Sequence, residues 1–193
     1  MHLDAAPIPR GEVTRLLHAA RGGDAQAMDR IVPLVYDDLC VLADRQLRRE
    51  FSSRTMHPIS LVHEAYFKLA NGAALHAGDR AHFLAIAARA MRQVLVDHAR
   101  RRSAAKRAAP WEWASLGDHE WATEVSPDEI LTLNDAIDEL DPRQRQVVEC
   151  RFFGGMEERE IAATLGVDER TVRRDWVKAR AWLNRALYGA ASA

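Results

Sequence analysis

The spacing of apolar residues along the chain predicts helices, and alternating strand-like runs are almost absent. In the C-terminal third, residues 160–174 have the sequence EIAATLGVDERTVRR. The small or apolar positions at helical spacing are Ile161, Ala162 and Leu165. Gly166 follows, and glycine is typical of a helix end because it adopts the left-handed conformation cheaply. Asp168 is a favourable N-cap for another helix, so the segment predicts a helix-turn-helix.

The second helix of this pair has two chemically different faces. Its apolar positions are Val172, Trp176, Ala179 and Leu183. Its basic positions are Arg170, Arg173, Arg174 and Lys178. A basic outer face suits the major groove of DNA, where arginine binds guanine edges and phosphates. The alternative is a solvated surface helix that binds nothing. The turn residue Gly166, the small Ala162 and the N-cap Asp168 make this alternative less favoured.

Four amphipathic helices are predicted in the N-terminal half. The expected segments are residues 12–20, 25–47, 59–69 and a long helix from about residue 80 into the basic run at 100–107. Pro33 lies inside the second segment, where it either kinks the helix or marks its true start. The fourth helix is expected to face the core with Phe83, Leu84, Ala87, Met91, Val94, Leu95 and His98. Its opposite face is expected to carry Arg89, Arg92, Gln93, Val96 and Arg100.

A second domain is predicted to begin at Ser126. The sequence Ser-Pro-Asp-Glu at 126–129 has the cap, the first-turn proline and the glutamate of a capping box. Asp141-Pro142 ends that helix, and residues 143–153 are expected to form another. Residues 108–125 are predicted to be an acidic linker, which carries Trp111, Trp113 and Trp121. We therefore expect an all-α chain with two small helical domains, residues 12–107 and 126–188.

The net charge of −1 conceals a strong segregation of charge along the chain. Residues 89–107 contain seven lysines or arginines and one aspartate, and residues 170–185 contain six and one. Between them, residues 111–142 contain ten acids and no lysine or arginine. Two basic blocks around an acidic block indicate a protein that binds nucleic acid with two separate surfaces.

Several other classes of protein are disfavoured by the sequence. Cys40 and Cys150 lie far apart without metal spacing, which favours two buried thiols in a reducing compartment. A signal peptide and an apolar run long enough to cross a membrane are absent, so we expect a cytoplasmic protein. His63-Glu64 begins like a zinc-protease helix, but Phe67 stands at the second ligand position. We expect no enzymatic activity, no metal and no cofactor.

Taken together, the motifs resemble the ECF (extracytoplasmic-function) group of the sigma-70 family. The C-terminal sequences DELDPRQRQVV, FFGGM and TVRRDWVKARAWL are similar to sigma region 4. LVHEAYFKL resembles region 2.2, and FLAIAARAMRQVLVDHARRR resembles regions 2.3 and 2.4. The resemblance covers roughly residues 12–188, with order and spacing preserved. It implies an all-α fold with a region 2 bundle and a region 4 helix-turn-helix.

The resemblance also implies that the protein binds core RNA polymerase, directs it to promoters and helps to open the DNA. The residues at −35-reading positions are Arg170, Thr171, Arg173, Arg174 and Lys178. The residues expected at the −10 element, where unstacked single-stranded DNA is held, are Arg80, His82, Arg89, Arg92, Gln93 and Arg100. Residues 71–79 match the specificity loop of the family. The alternative for the arginine run is a solvated helix end.

The region 2.2 helix is implied to dock on the clamp helices of the polymerase through His63, Glu64, Phe67 and Lys68. Partial burial of Phe67 in its own domain is the alternative. Where most relatives have acidic residues just before this helix, the chain has His57, Ile59 and Ser60. Our hypothesis is that phosphorylation of Ser60 or Thr55 restores negative charge at the helix N-terminus. The alternative is that Ser60 is an ordinary capping serine.

The linker and the partners follow from the same resemblance. The acidic linker would thread the RNA exit channel of the polymerase, or its tryptophans would pack the two domains together. An anti-sigma factor or a Ser/Thr kinase is the expected regulator, and we expect a monomer. Two rival functions are a helix-turn-helix regulator with a sensing or dimerising domain, and an adaptor that binds only proteins.

Overall fold

The computed structural model describes residues 10–24, 26–50, 56–70, 77–108 and 126–189, and these residues form helices and no strand. The prediction of an all-α fold is therefore confirmed. The helices are α1 (Arg10–Arg21), α2 (Ala27–Glu50), α3 (Pro58–Ala70), α4 (Arg80–Ala108), α5 (Pro127–Asp138), α6 (Pro142–Val148), α7 (Glu158–Leu165) and α8 (Glu169–Tyr188). In the described ranges, none of them has the length and hydropathy needed to cross a bilayer.

Helices α1 to α4 form the N-terminal unit and pack around one apolar core. The largest fully buried side chains of this core are Leu17, Ile31, Leu39, Leu61, Phe83, Met91 and Leu95. Pro33 lies inside α2, which begins at Ala27 and continues past it without interruption. The alternative that Pro33 marks the start of this helix is therefore wrong.

Helix α4 is buried on two faces. The expected core face is confirmed by Phe83, Ala87, Met91, Val94 and Leu95, whereas Leu84 and His98 are half-buried. A second buried face carries Ala85, Ala88, Arg92, Val96, Ala99 and Ser103. The prediction that Arg92 and Val96 lie on an open face is wrong, because α5 and the segment after α6 pack against this side of the helix.

The C-terminal unit, α5 to α8, begins and ends its helices at the predicted signals. Ser126 and Glu129 form the expected capping box, in which each side chain accepts a hydrogen bond from the other residue's backbone N–H, at 3.1 and 2.7 Å. Helix α6 is shorter than expected. Glu149–Phe153 is a π-helical turn, whose wider winding is closed by a hydrogen bond from the Gly154 N–H to the Glu149 carbonyl at 2.9 Å.

The helix-turn-helix is formed by α7 and α8. Gly166 is left-handed, with φ 65° and ψ 34°, and the Asp168 carboxylate accepts the Thr171 N–H at 2.7 Å. Ile161, Ala162 and Val172 are buried together between the two helices, as the apolar spacing predicts. Ala179 is also buried, but in a second cluster with Ile137 and Val148.

Ala108, the first residue of the predicted linker 108–125, is the last residue of α4. Several other predicted features lie outside the described residues, namely the rest of the linker with its tryptophans, Thr55, and residues 71–76 of the predicted specificity loop. The division into domains therefore stays a prediction. Among the described residues, the apolar clusters do not separate at that division. Ala85 and Ala88 of α4 pack with residues of α5 to α8, including Val147, Ile137 and Phe153.

We expect Gly166→Ala to destabilise the helix-turn-helix by about 1–2 kcal/mol, because a side chain disfavours the left-handed backbone. Among the described residues, no atom lies within 4 Å of an added Cβ at this position, so the effect is that of the backbone alone. Urea unfolding measures the loss. Gly11→Ala is the matched control, since it also meets no atom within 4 Å and sits in α1 without a positive φ. Equal stability of the two variants would contradict the prediction.

Candidate nucleic-acid interface

Helix α8 presents its predicted basic face to solvent. Arg170, Arg173, Arg174 and Lys178 are exposed, and Thr171 is half-buried in the first turn. Val172 and Ala179 are fully buried on the opposite side and fix the helix against α6 and α7. The geometry therefore combines a fixed helix with a row of exposed cations, as reading of a major groove requires.

Arg173 is held by an acid of the preceding helix. Its Nε and Nη2 donate to the same Glu158 oxygen, Oε2, at 3.2 and 2.8 Å. The other oxygen of Glu158 accepts from Arg151 at 2.8 Å. The hydrogen bond from Arg173, followed by that from Arg151, holds the pKa of Glu158 below its ordinary value. Glu158 was not predicted as a site residue, although its place in the first turn of α7 suits an acid.

Asp175 is a buried acid on the inner side of α8. Only 2% of it is exposed, and the Arg143 guanidinium of α6 donates to its carboxylate. This contact connects α6 to α8 and sets the direction of the basic face. Sequence reasoning missed Asp175, because one acid among many arginines has the pattern of a solvated position.

The six residues predicted for the −10 element do not form one surface. His82, Arg89, Gln93 and Arg100 share one side of α4 by their helical spacing, and Arg89 and Arg100 are exposed there. Arg80 forms an ion pair with Asp38 of α2. The His82 ring accepts the Gly78 N–H at 3.2 Å, so it is directed back to the helix N-terminus.

Arg92 is buried between the two units and does not reach solvent. It is 5% exposed, and its guanidinium donates to Asn134 Oδ1 at 2.7 Å and to Glu149 Oε1 at 3.0 Å. The Phe153 ring lies 5.5 Å from the guanidinium carbon. Arg89 Nε lies 3.7 Å from the same Glu149 oxygen. The Arg92 Nε itself is buried without a hydrogen-bond partner among the described residues.

A groove between α3 and α4 contains the residues predicted to bind a protein partner. Phe67 is 70% exposed on its rim, so the alternative that Phe67 is partly buried is wrong. His63 is also exposed. The groove has a volume of about 610 Å³ and is lined by Glu64, Phe67, Lys68, Val94, Asp97, Arg100 and Arg101. An exposed aromatic side chain beside mixed charges is typical of a protein contact.

A hydrogen bond from Lys68 Nζ of α3 to Asp97 Oδ2 of α4, 2.7 Å long, joins the two walls of this groove. Burial of the Asp97 carboxyl acts to raise its pKa, but hydrogen bonds from Lys68 and Gln93 outweigh it and lower the pKa. Lys68 and Gln93, predicted for different partners, therefore share one carboxylate. Asp97 is a site residue that the sequence analysis did not single out.

Ser60 is exposed in the first turn of α3, two residues after Pro58. The His57 ring accepts the Ile59 N–H at 3.4 Å and occupies the capping position. Ser60 is therefore not the N-cap, and the alternative of an ordinary capping serine is wrong. Its phosphorylation stays a prediction.

Comparison with known proteins identifies a family for this arrangement. A family model described as ECF sigma factor matches residues 10–189. No curated protein matches the chain. Among solved structures, CnrH in complex with the cytosolic domain of CnrY is 19% identical, with a TM-score of 0.40 over 94% of this chain and 99% of that chain.

We expect Asp97→Asn to lower stability at neutral pH by less than about 1 kcal/mol, since the ion pair is partly solvated. The pKa of Asp97 is lowered on folding, so its contribution is complete above the ordinary value of 3.8. The contribution is lost as the pH falls through the lowered pKa. Urea unfolding at several pH values should show the two proteins converging in acid. Asp37→Asn is the control, because it makes the same change at an exposed position. A difference in unfolding free energy between wild type and Asp97→Asn that stays constant at all pH values would contradict the prediction.

Proposed function

The chain belongs to the ECF sigma factor family, and we propose that it binds core RNA polymerase, recognises promoters through α8 and α4, and helps to open the DNA. Members of this family are regulatory transcription factors rather than enzymes. The observation that carries the proposal is the exposed basic face of α8 on a capped helix-turn-helix, within a family match that spans both units.

Recognition of the −35 element is assigned to α8. Arg170, Arg173 and Arg174 extend from the first turns of the helix, where side chains of a recognition helix contact base edges. Lys178 lies one turn further on and is assigned to a phosphate. In the free protein, Arg173 donates a hydrogen bond to Glu158. Arg173 must therefore release Glu158 before it can bind the −35 DNA.

Recognition of the −10 element is assigned to the exposed side of α4. Arg89, Gln93 and Arg100 lie along this side at helical spacing, with His82 at its N-terminal end. Cations with polar groups between them suit an unstacked single strand, whose phosphates need charge and whose bases need hydrogen bonds. Arg92 joins this surface only if the C-terminal unit moves away from α4.

Binding of core polymerase is assigned to the groove between α3 and α4. Phe67 supplies an exposed aromatic anchor, and His63, Glu64 and Lys68 surround it. Aromatic residues at the centre of an interface commonly provide much of its binding energy. Regulation is assigned to an anti-sigma factor or to a Ser/Thr kinase, for which the exposed Ser60 is the acceptor within the described residues.

The two rival functions, a helix-turn-helix regulator and a protein-binding adaptor, differ from a sigma factor in whether they bind DNA and polymerase. A helix-turn-helix regulator binds its duplex without polymerase, and an adaptor binds no DNA. We expect the protein to bind promoter duplex weakly alone and to confer promoter-dependent initiation on core polymerase. Transcription in vitro from fragmented genomic DNA, with sequencing of the RNA start sites, separates the three functions.

We expect Arg173→Ala with Arg174→Ala to lower this promoter-dependent transcription at least about tenfold, because each base-reading contact contributes about 1–3 kcal/mol. Binding to core polymerase should remain. The control is Arg15→Ala, which removes an exposed charge from α1. Unchanged start sites and yield in the double variant would contradict the role of α8.

We expect Phe67→Ala to weaken binding to core polymerase about tenfold or more, because it removes the exposed anchor of the groove. Titration of fluorescently labelled protein with core polymerase measures the change. Val41→Ala is the matched control, since Val41 is an exposed apolar residue of α2 outside the groove. Equal affinity of the two variants would exclude Phe67 as the anchor.

A further inference from the structure

The face of α4 that carries Arg92 is covered by the C-terminal unit. Ala88 is fully buried against Ile137, Leu140, Val148, Phe153 and Ala179. Ala85 packs in a second cluster with residues of α6 to α8. The small side chains at these two positions allow the units to approach closely. The Ser103 hydroxyl extends the contact by donating to Asp128 at 2.9 Å.

A buried ion cluster lies at the centre of this contact. Arg92 and Glu149, from opposite units, are 5% and 4% exposed, and Asn134 accepts a further hydrogen bond from Arg92. Arg89 approaches the same Glu149 oxygen at 3.7 Å. One carboxylate therefore faces two arginines that the proposed function assigns to DNA.

The positions of these groups make closure and DNA binding compete. A phosphate is an oxyanion that arginine binds through the same N–H groups as a carboxylate. While Glu149 and Asn134 occupy the Arg92 guanidinium, a DNA strand cannot reach it. Access of DNA to the side of α4 beside Arg89 is also restricted by α6 and α7. These helices form a crevice with α4, which is lined by His82, Arg89, Gln146 and Leu165.

We propose that the free protein is held closed by this contact, and that Glu149 takes the place of a DNA phosphate on Arg92 and Arg89. We call Arg92, Asn134 and Glu149 the latch. Opening of the latch uncovers the second face of α4 and adds Arg92 to the arginines of this helix, Arg89 and Arg100, that are already exposed. The consequence for DNA rests on the proposed function of α4, whereas the closed state itself does not.

Energy transfer between two labels tests the closed state without DNA or polymerase. The labels are placed at His18→Cys in α1 and Asn184→Cys in α8, both exposed, in a Cys40→Ser background. Cys150 packs in the same cluster as Ala85 and would be uncovered by opening, so it is replaced by alanine in every labelled protein. The latch predicts that transfer is higher in the closed free protein than in a variant whose two units have separated.

Two variants open the latch by different means. Ala88→Gln inserts a neutral side chain where the buried surface leaves no room, and Glu149→Gln removes the charge that faces Arg92. We expect lower transfer for both variants. Glu139→Gln removes the same charge from an exposed position at the end of α5 and should leave transfer unchanged. Circular dichroism verifies helical content, and the test uses whichever opening variant keeps it.

Binding of DNA tests the second part of the proposal. The probe is a fluorescein-labelled single strand of mixed sequence, about 20 nucleotides long, which exceeds the site size of a single-strand-binding fold. Opening should tighten binding about tenfold, because apparent affinity scales with the fraction of open protein. Ala88→Gln leaves the charge unaltered, so its gain cannot come from lost repulsion. Adding Arg92→Gln to Ala88→Gln should reverse the gain.

Equal transfer in wild type and in the opening variants would overturn the closed state. Lower transfer without tighter DNA binding would overturn the role of Glu149 as a substitute for phosphate. Failure to initiate transcription with core polymerase would instead contradict the proposed function, and it would leave the energy-transfer result valid.

Discussion

The burial of α4 on two faces is the constraint on which the rest of the structure depends. One face completes the apolar core of α1 to α3, and the other receives the C-terminal unit through Ala85 and Ala88. Only the remaining side is free to carry Arg89, Gln93 and Arg100. The same helix thus lies at the centre of the fold, forms one wall of the groove proposed to bind a protein, and carries a surface proposed to bind DNA. A movement of the helices packed against α4 therefore affects the core, the groove and the DNA-binding surface together.

Acids of the protein itself partner several arginines that are assigned to DNA. Asp38 pairs with Arg80, and Glu158 pairs with Arg173. Glu149 faces both Arg92 and Arg89. These pairs explain how a chain of net charge −1 can keep two strongly basic segments without repulsion between them. Because of these pairs, DNA must replace an acid of the protein at each of these arginines before it can bind there.

Local signals predicted the parts of the structure that depend on nearby residues. The capping box at Ser126, the left-handed Gly166 and the basic face of α8 involve residues at most a few positions apart, so their spacing alone determines them. The burial of Arg92 depends on Asn134 and Glu149, which lie 42 and 57 positions away. A helical period cannot show such a partner. The row of small residues beside Arg92 was the available signal, since it marks a face suited to close packing.

The Nε of Arg92, which has no hydrogen-bond acceptor in the part of the chain that the structure describes, has a consequence for how strongly the two units hold together. A buried N–H without an acceptor costs about 1–3 kcal/mol, and a buried ion pair is commonly no more stable than apolar side chains of similar volume. The missing acceptor therefore lowers the net stability that this contact can provide. A contact that carries such a cost is easier to exchange for an external one while both halves stay folded.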